Sequence, residues 1–129
     1  MRVFRTKWFG RFARKKDISD EKLIDAVREI QKGLKDGDLG EGVIKKRVAR
    51  LGEGKRGGYR TIIVHRAGDR AVFLYGFSKS AKANLNAAEL DAYQRLAQIY
   101  LSFSAASITK ALSEGELEEV NYSGEEISE

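Results

Sequence analysis

The sequence predicts an α+β fold: a small, twisted, mainly antiparallel sheet of four strands, with helices packed on it and a C-terminal helical extension. Three observations predict it. Apolar residues recur at helical spacing between Ser19 and Lys35, three β-forming runs joined by glycine-bearing loops lie between Val43 and Phe77, and a second helical pattern opens at Asn86. With 129 residues and 42% hydrophobic content, the chain can bury one core of ordinary size.

Val3 to Phe9 alternates loosely and reads as an opening strand, and Gly10 to Lys16 as a short helix. Ser19 is suited to cap the next helix, with Asp20 and Glu21 in its first turn. Leu23, Ile24, Val27, Ile30 and Leu34 then form its apolar face, and Gly37 is placed to stop it. "GDLGEG" is a loop. Val43 to Leu51 reads as a strand whose alternation puts Val43, Lys45, Arg47 and Ala49 on one face and Ile44, Lys46, Val48 and Arg50 on the other. Tyr59 to Arg66 is a β-branched strand, "AGD" a tight hairpin turn, and Arg70 to Phe77 a central strand apolar on both faces. Asn86 with Glu89 has the spacing of a capping box for a helix lined by Leu90, Tyr93, Leu96, Ala97, Tyr100 and Leu101. "SAASITKALSEG" either extends that helix or forms another. The organisation expected is a domain over residues 1–113 and an acidic tail over residues 114–129, with Leu117, Val120 and Tyr122 able to anchor part of the tail.

Charge is divided along the chain in the same way. The first 113 residues hold 24 basic and 12 acidic side chains; the last 16 hold seven acids and no base. A basic body of this kind points to a polyanionic or acidic partner. The absence of cysteine removes disulfide and thiolate chemistry, and a single histidine argues against zinc. No run is long enough to span a membrane, and the start carries no secretory signal, so a cytoplasmic protein is expected.

"GKRGGYRTIIVHR", Gly54 to Arg66, sets flexible glycines and repelling cations beside a good strand former. Such a loop can offer backbone N–H groups to phosphate oxygens. Hairpin geometry brings Lys55, Arg56, Arg60 and Lys79 to one end of the sheet. Lys45, Lys46, Arg47, Arg50 and Lys82 lie on the flanking segments. Tyr59, Tyr75 and Phe77 can stack on bases there, although on a central strand Tyr75 and Phe77 suit a core better. His65 is the one ready general base near neutral pH, but it stands toward the far end of its strand. No carboxylate cluster suits a two-metal nuclease, and the loop lacks the Gly-Lys-Ser/Thr ending of a phosphate-binding loop.

The stretch "GVIKKRVARLGEGKRGGYRTIIVHRAGDRAVFLYGFSKSAKANL", preceded by "DEKLIDAVREIQKGLKDGDLGEG", resembles the RelE-like toxins of type II toxin–antitoxin systems, in the HigB-type branch. The resemblance runs from about Phe4 to Leu101. It implies a small RelE-like fold. It also implies a metal-independent endoribonuclease, needing no cofactor, that cuts mRNA on the ribosome by 2′-hydroxyl attack. A helix-turn-helix antitoxin is the partner it implies. Carried onto this chain, it makes Arg60, Lys79, Lys55 and Lys46 catalytic, with Lys45, Arg47, Arg50, Arg56, Lys82 and Tyr59 binding RNA. Where family members often place a Tyr or His, this chain has Asn84 and Leu85, which leaves a lysine or His65 as general base. Two other readings stay open: a ParE-like gyrase inhibitor, and a non-catalytic module that binds RNA or the antitoxin.

Overall fold

A computed structural model describes residues 1–49, 58–78 and 85–120. Among them the order is β1 (Arg2–Thr6), α1 (Lys7–Lys15), α2 (Asp20–Gln31), β2 (Gly37–Asp38), β3 (Val43–Val48), β4 (Tyr59–Arg66), β5 (Arg70–Ser78), α3 (Ala87–Leu101), α4 (Ala105–Ser113) and β6 (Leu117–Glu119). The strands form one sheet in the order β2-β3-β4-β5-β1-β6. Only β1 and β5 pair in parallel; every other neighbouring pair is antiparallel. The expected α+β class is therefore found. To the four expected strands the structure adds two short ones, β2 and β6, one at each edge.

Each face of the sheet has its own apolar layer. On one side α1 and α2 bury Phe9, Ala13, Leu23, Ile24, Val27 and Ile30 against Ile44, Val48, Tyr59, Ile63 and Phe73. On the other, α3 and α4 bury Ala97, Ile108 and Ala111 against Val43, Ile62, Val64, Val72 and Phe77.

Local chemistry sets the element ends. The chain leaves β1 at Thr6, whose hydroxyl accepts from the Phe9 N–H at 3.1 Å and starts α1 earlier than the alternation suggested. Trp8 and Phe9 are thus helical rather than extended. Ser19 caps α2 as expected, accepting from the Lys22 N–H at 3.2 Å. The far end of α2 corrects the sequence reading. Gly33, at φ +85°, turns the chain, and the N–H groups of Gly33 and Leu34 bond back to Ile30 and Glu29. The helix ends at Gln31, so Leu34 leaves the apolar face and is 56% exposed. The capping box of Asn86 and Glu89 forms, and a break at Ser102–Ser104 makes α4 a separate helix.

A bulge interrupts β5. Ile63 pairs with Phe73 and Ile62 with Tyr75, so Leu74 is the extra residue. Past it, side-chain parity is inverted. Tyr75 and Phe77 join the α3 layer, and Gly76 faces α1, where an added Cβ would lie 2.4 Å from the Phe12 ring.

The segment assigned to the acidic tail is in part a strand. β6 pairs with β1, and Leu117 and Val120 are buried. Tyr122 lies outside the described residues. Among those residues no helix is long and apolar enough to cross a membrane.

Candidate functional site

The site begins with one row across the sheet. In the antiparallel register Arg47 of β3 stands opposite Arg60 of β4, and Arg60 opposite Phe77 of β5. Directly opposed residues share a face, here the α3 face, and their Cβ atoms are about 5 Å apart. Two guanidinium groups opposed in this way repel, so the row costs stability unless anions offset it. Arg47 has its anion. Its Nε donates to Asp36 Oδ1 at 2.9 Å and its backbone N–H to Oδ2 at 2.7 Å. Burial works to raise the Asp36 pKa. The Arg47 bonds and the charges of Arg47 and Lys46 outweigh it and hold the carboxyl below its ordinary range.

Arg60 has none. Its Nη1 is shielded from solvent and meets no hydrogen-bond acceptor among the described residues. A buried, charged donor left unpaired costs more than a neutral one. Lys45, two residues from Arg47 on the same face and opposite Ile62, also makes no ion pair among the described residues. Arg60, Arg47 and Lys45 thus line one face at one end of the sheet. Next along that face comes Tyr75, 5.9 Å from Tyr93 of α3. Burial first, then the neighbouring Tyr75 and Glu89, push the Tyr93 hydroxyl up to about 12, so it stays a proton donor at neutral pH.

Other expected residues fall elsewhere. Lys46 is a correction. It points to the α2 face beside Ile44 and Val48, almost fully buried. Its Nζ meets Glu29 Oε1 at 2.8 Å and the Leu34 carbonyl at 2.7 Å. Strand alternation forbids Lys46 the face that Lys45 and Arg47 share, so it is a structural cation and does not converge with Arg60. Tyr59 is likewise corrected as a stacking platform: its ring is buried in the α1 layer, edge-on to Phe12 at 5.6 Å. His65 is an odd number of residues from Arg60, on the opposite face, and roughly 17 Å further along the strand. It cannot act as base on a group held by Arg60. Arg50, Lys55, Arg56, Lys79 and Lys82 lie outside the described residues.

Sequence reasoning missed Trp8. Read as part of a strand, it sits instead on α1, 40% exposed and stacked on Tyr75 at 4.4 Å. Thr6 as a capping residue was the available signal.

A family model described as the RelE toxin of the RelE / RelB toxin-antitoxin system matches residues 1–120. The chain belongs to the RelE toxin family. No curated protein matches the chain. RelE membership carries an antitoxin partner with it. The match extends through β6, so this RelE-family chain includes the edge strand within the family's span.

Proposed function

We propose that this RelE-family toxin belongs to the HigB-type branch and is a metal-independent endoribonuclease, cutting mRNA on the ribosome in the cytoplasm. Its partner is a helix-turn-helix antitoxin. The observation that carries the reading is the Arg60 guanidinium, with a shielded Nη1 that has no acceptor among the described residues and a second arginine opposite it. An anion placed there would satisfy the donor and relieve the repulsion together.

In the reaction, a base removes the proton from a ribose 2′-hydroxyl. The oxygen attacks the adjacent phosphorus, the bond to the 5′-oxygen breaks, and that oxygen takes up a proton. The products are a 2′,3′-cyclic phosphate and a 5′-hydroxyl. Negative charge grows on the phosphorane oxygens, and a fixed guanidinium stabilises it without reorganising. Arg60 supplies that charge, with Arg47 and Lys45 holding the flanking phosphates. Lys55, Arg56 and Arg50 from residues 50–57, and Lys79 and Lys82 from residues 79–84, complete the cationic set. A lysine among these cations is the base we assign.

The test is induced expression of the toxin and its Arg60→Ala variant, read by growth and by mapping mRNA 5′ ends. New 5′-hydroxyl ends with the wild type, absent with Arg60→Ala, are expected. Growth arrest without new ends, accompanied by loss of DNA supercoiling, would replace this reading with gyrase inhibition. Arrest that no antitoxin relieves would remove the partner assignment.

A further inference from the structure

The first 16 residues contain seven cations and no acid. The structure divides them into two groups. Arg2, Arg5 and Arg14 are bonded to Glu119 and Glu118 of β6, with Arg5 also reaching Asp20. Lys7, Arg11, Lys15 and Lys16 are exposed and make no ion pair among the described residues. Lys7, Arg11 and Lys15 follow one another at i, i+4 and i+8, so they form a stripe of like charges along α1. Such spacing weakens a helix by a few tenths of a kcal/mol per pair.

Trp8 lies on the same side. It stands at i, i+3 and i+7 with Arg11 and Lys15. Its indole packs on Tyr75 at 4.4 Å and on Phe12 at 5.5 Å, yet 40% of it remains exposed. Tyr75 in turn lies 6.0 Å from Phe77, the residue opposite Arg60. A continuous run of aromatic rings therefore leads from the charged stripe of α1 to the Arg60 row.

We propose that α1 carries a second subsite for single-stranded RNA, in which a base stacks against Trp8 and the flanking phosphates meet Lys7, Arg11 and Lys15. The subsite takes its substrate class from the ribonuclease reading and rests on it. A stripe of exposed cations without acids attracts a polyanion, and an exposed indole beside it adds a face for an unpaired base. Bases in a duplex are already stacked, so the indole selects for the single strand.

Trp8 is the chain's one tryptophan, so its fluorescence reports this subsite directly. The full-length toxin is titrated with 2′-O-methyl oligouridine, which offers bases and phosphates but no attacking hydroxyl. Saturable quenching with the same midpoint as the anisotropy of the labelled oligonucleotide is expected. Trp8→Leu should weaken single-strand binding about tenfold and leave duplex RNA of equal length unaffected. Joint replacement of Lys7, Arg11 and Lys15 by Gln should lower the salt slope of single-strand binding by about 2. Circular dichroism melts show whether each variant is folded.

Binding without quenching, with cleavage still lost in Arg60→Ala, overturns the subsite and leaves the ribonuclease reading standing. An equal loss of duplex and single-strand binding in Trp8→Leu also overturns it. Intact RNA binding with a weakened antitoxin complex in the triple variant assigns the stripe to the antitoxin instead. Failure to bind any RNA, with no new 5′ ends in cells, overturns the reading on which the subsite rests.

Discussion

Two groups of arginines stand on or beside this sheet, and they differ in how far their charges are paired. At the β1–β6 edge every guanidinium has a carboxylate. Arg5 bonds Glu118 at 2.8 Å and Asp20 at 3.0 Å, Arg2 bonds Glu119 at 2.8 Å, and Arg14 bonds Glu118 at 3.2 Å. At the β3–β4 end Arg47 has Asp36, but Arg60, opposite it, keeps a shielded donor without an acceptor among the described residues. The edge cations clasp a short strand that also pairs with β1 and buries Leu117. The row cations repel one another within a fold that is otherwise well packed. Residue type alone would have called both groups basic patches. What separates them is that each edge arginine has a carboxylate partner, whereas the Arg60 Nη1 has no acceptor among the described residues.

The comparison is tested most severely by exchanging readouts. Arg60→Ala should lower cleavage at least a hundredfold, the usual consequence of losing one contact to transition-state charge. Its melting temperature should stay level or rise slightly, because a repulsion and an unsatisfied donor are removed together. A variant that melts well below the wild type would mean that Arg60 is structural, as the edge arginines are.

Lys46 is the sharpest intermediate case, since its neighbours in sequence belong to the row and its side chain to the core. Removing one partner of a buried ion pair leaves the other uncompensated, so Lys46→Ala should cost about 3 kcal/mol in urea unfolding. That estimate is toward the low end because Glu29 keeps some water contact. Cleavage per folded molecule should be unchanged. A stable Lys46→Ala protein without activity would return Lys46 to the catalytic set.

Much of this was legible in the sequence, for identifiable reasons. Ser19 and the Asn86–Glu89 box marked helix starts because capping depends on side chains only a few residues apart. The span of β4 was readable because the β-branched run Thr61 to Val64 lies at its centre, with Gly58 and Gly68 bounding it. The end of α2 was misplaced because Gly33 and Gly37 are both able to stop a helix, and it is Gly33 that takes the positive φ and closes the capping bonds. Alternation had already set Lys46 beside Ile44 and Val48. What it lacked was Glu29, a residue brought into reach by tertiary structure alone. The bulge at Leu74 was not visible either. It inverts the faces of Tyr75 and Phe77 through one extra residue in a strand that is apolar on both sides, where no pattern reports a slip.

Arg5→Ala tests the other half of the comparison. Arg5 is largely buried and joins three elements through Glu118 and Asp20. Its loss should cost about 1–3 kcal/mol, the usual penalty for leaving partly buried partners unsatisfied. Gly10 leaves room for the Glu118 carboxylate, which an added Cβ would meet at 2.2 Å, so Gly10→Ala should disturb the same clasp more mildly. Neither change should alter cleavage by the folded fraction. A drop in rate at full stability would connect the β6 edge to the site.

The smallest effect expected is the part of the pH dependence that the clasp contributes. Burial works to raise the Glu118 carboxyl, but bonds from Arg5 and Arg14 outweigh it and set the pKa below the ordinary 4.5. The bond from Arg2 lowers Glu119 in the same direction, against a smaller effect of burial. A depressed folded-state pKa means that the unfolded chain binds protons first as the pH falls. The stabilisation is therefore complete above the ordinary carboxylate value and is lost as the pH drops through it toward the depressed one. Asp36 and Asp69 are lowered as well and add to the acid sensitivity of the wild type, but Arg5→Ala leaves their partners in place. The difference between the two proteins isolates the clasp. Urea midpoints measured from about pH 7 to about pH 3 should converge as Glu118 is protonated, because the wild type loses an interaction that the variant already lacks. If the two curves stay parallel throughout, Glu118 is not held by Arg5 in solution, and the β1–β6 edge rests on its strand pairing, its other ion pairs and the burial of Leu117 and Val120.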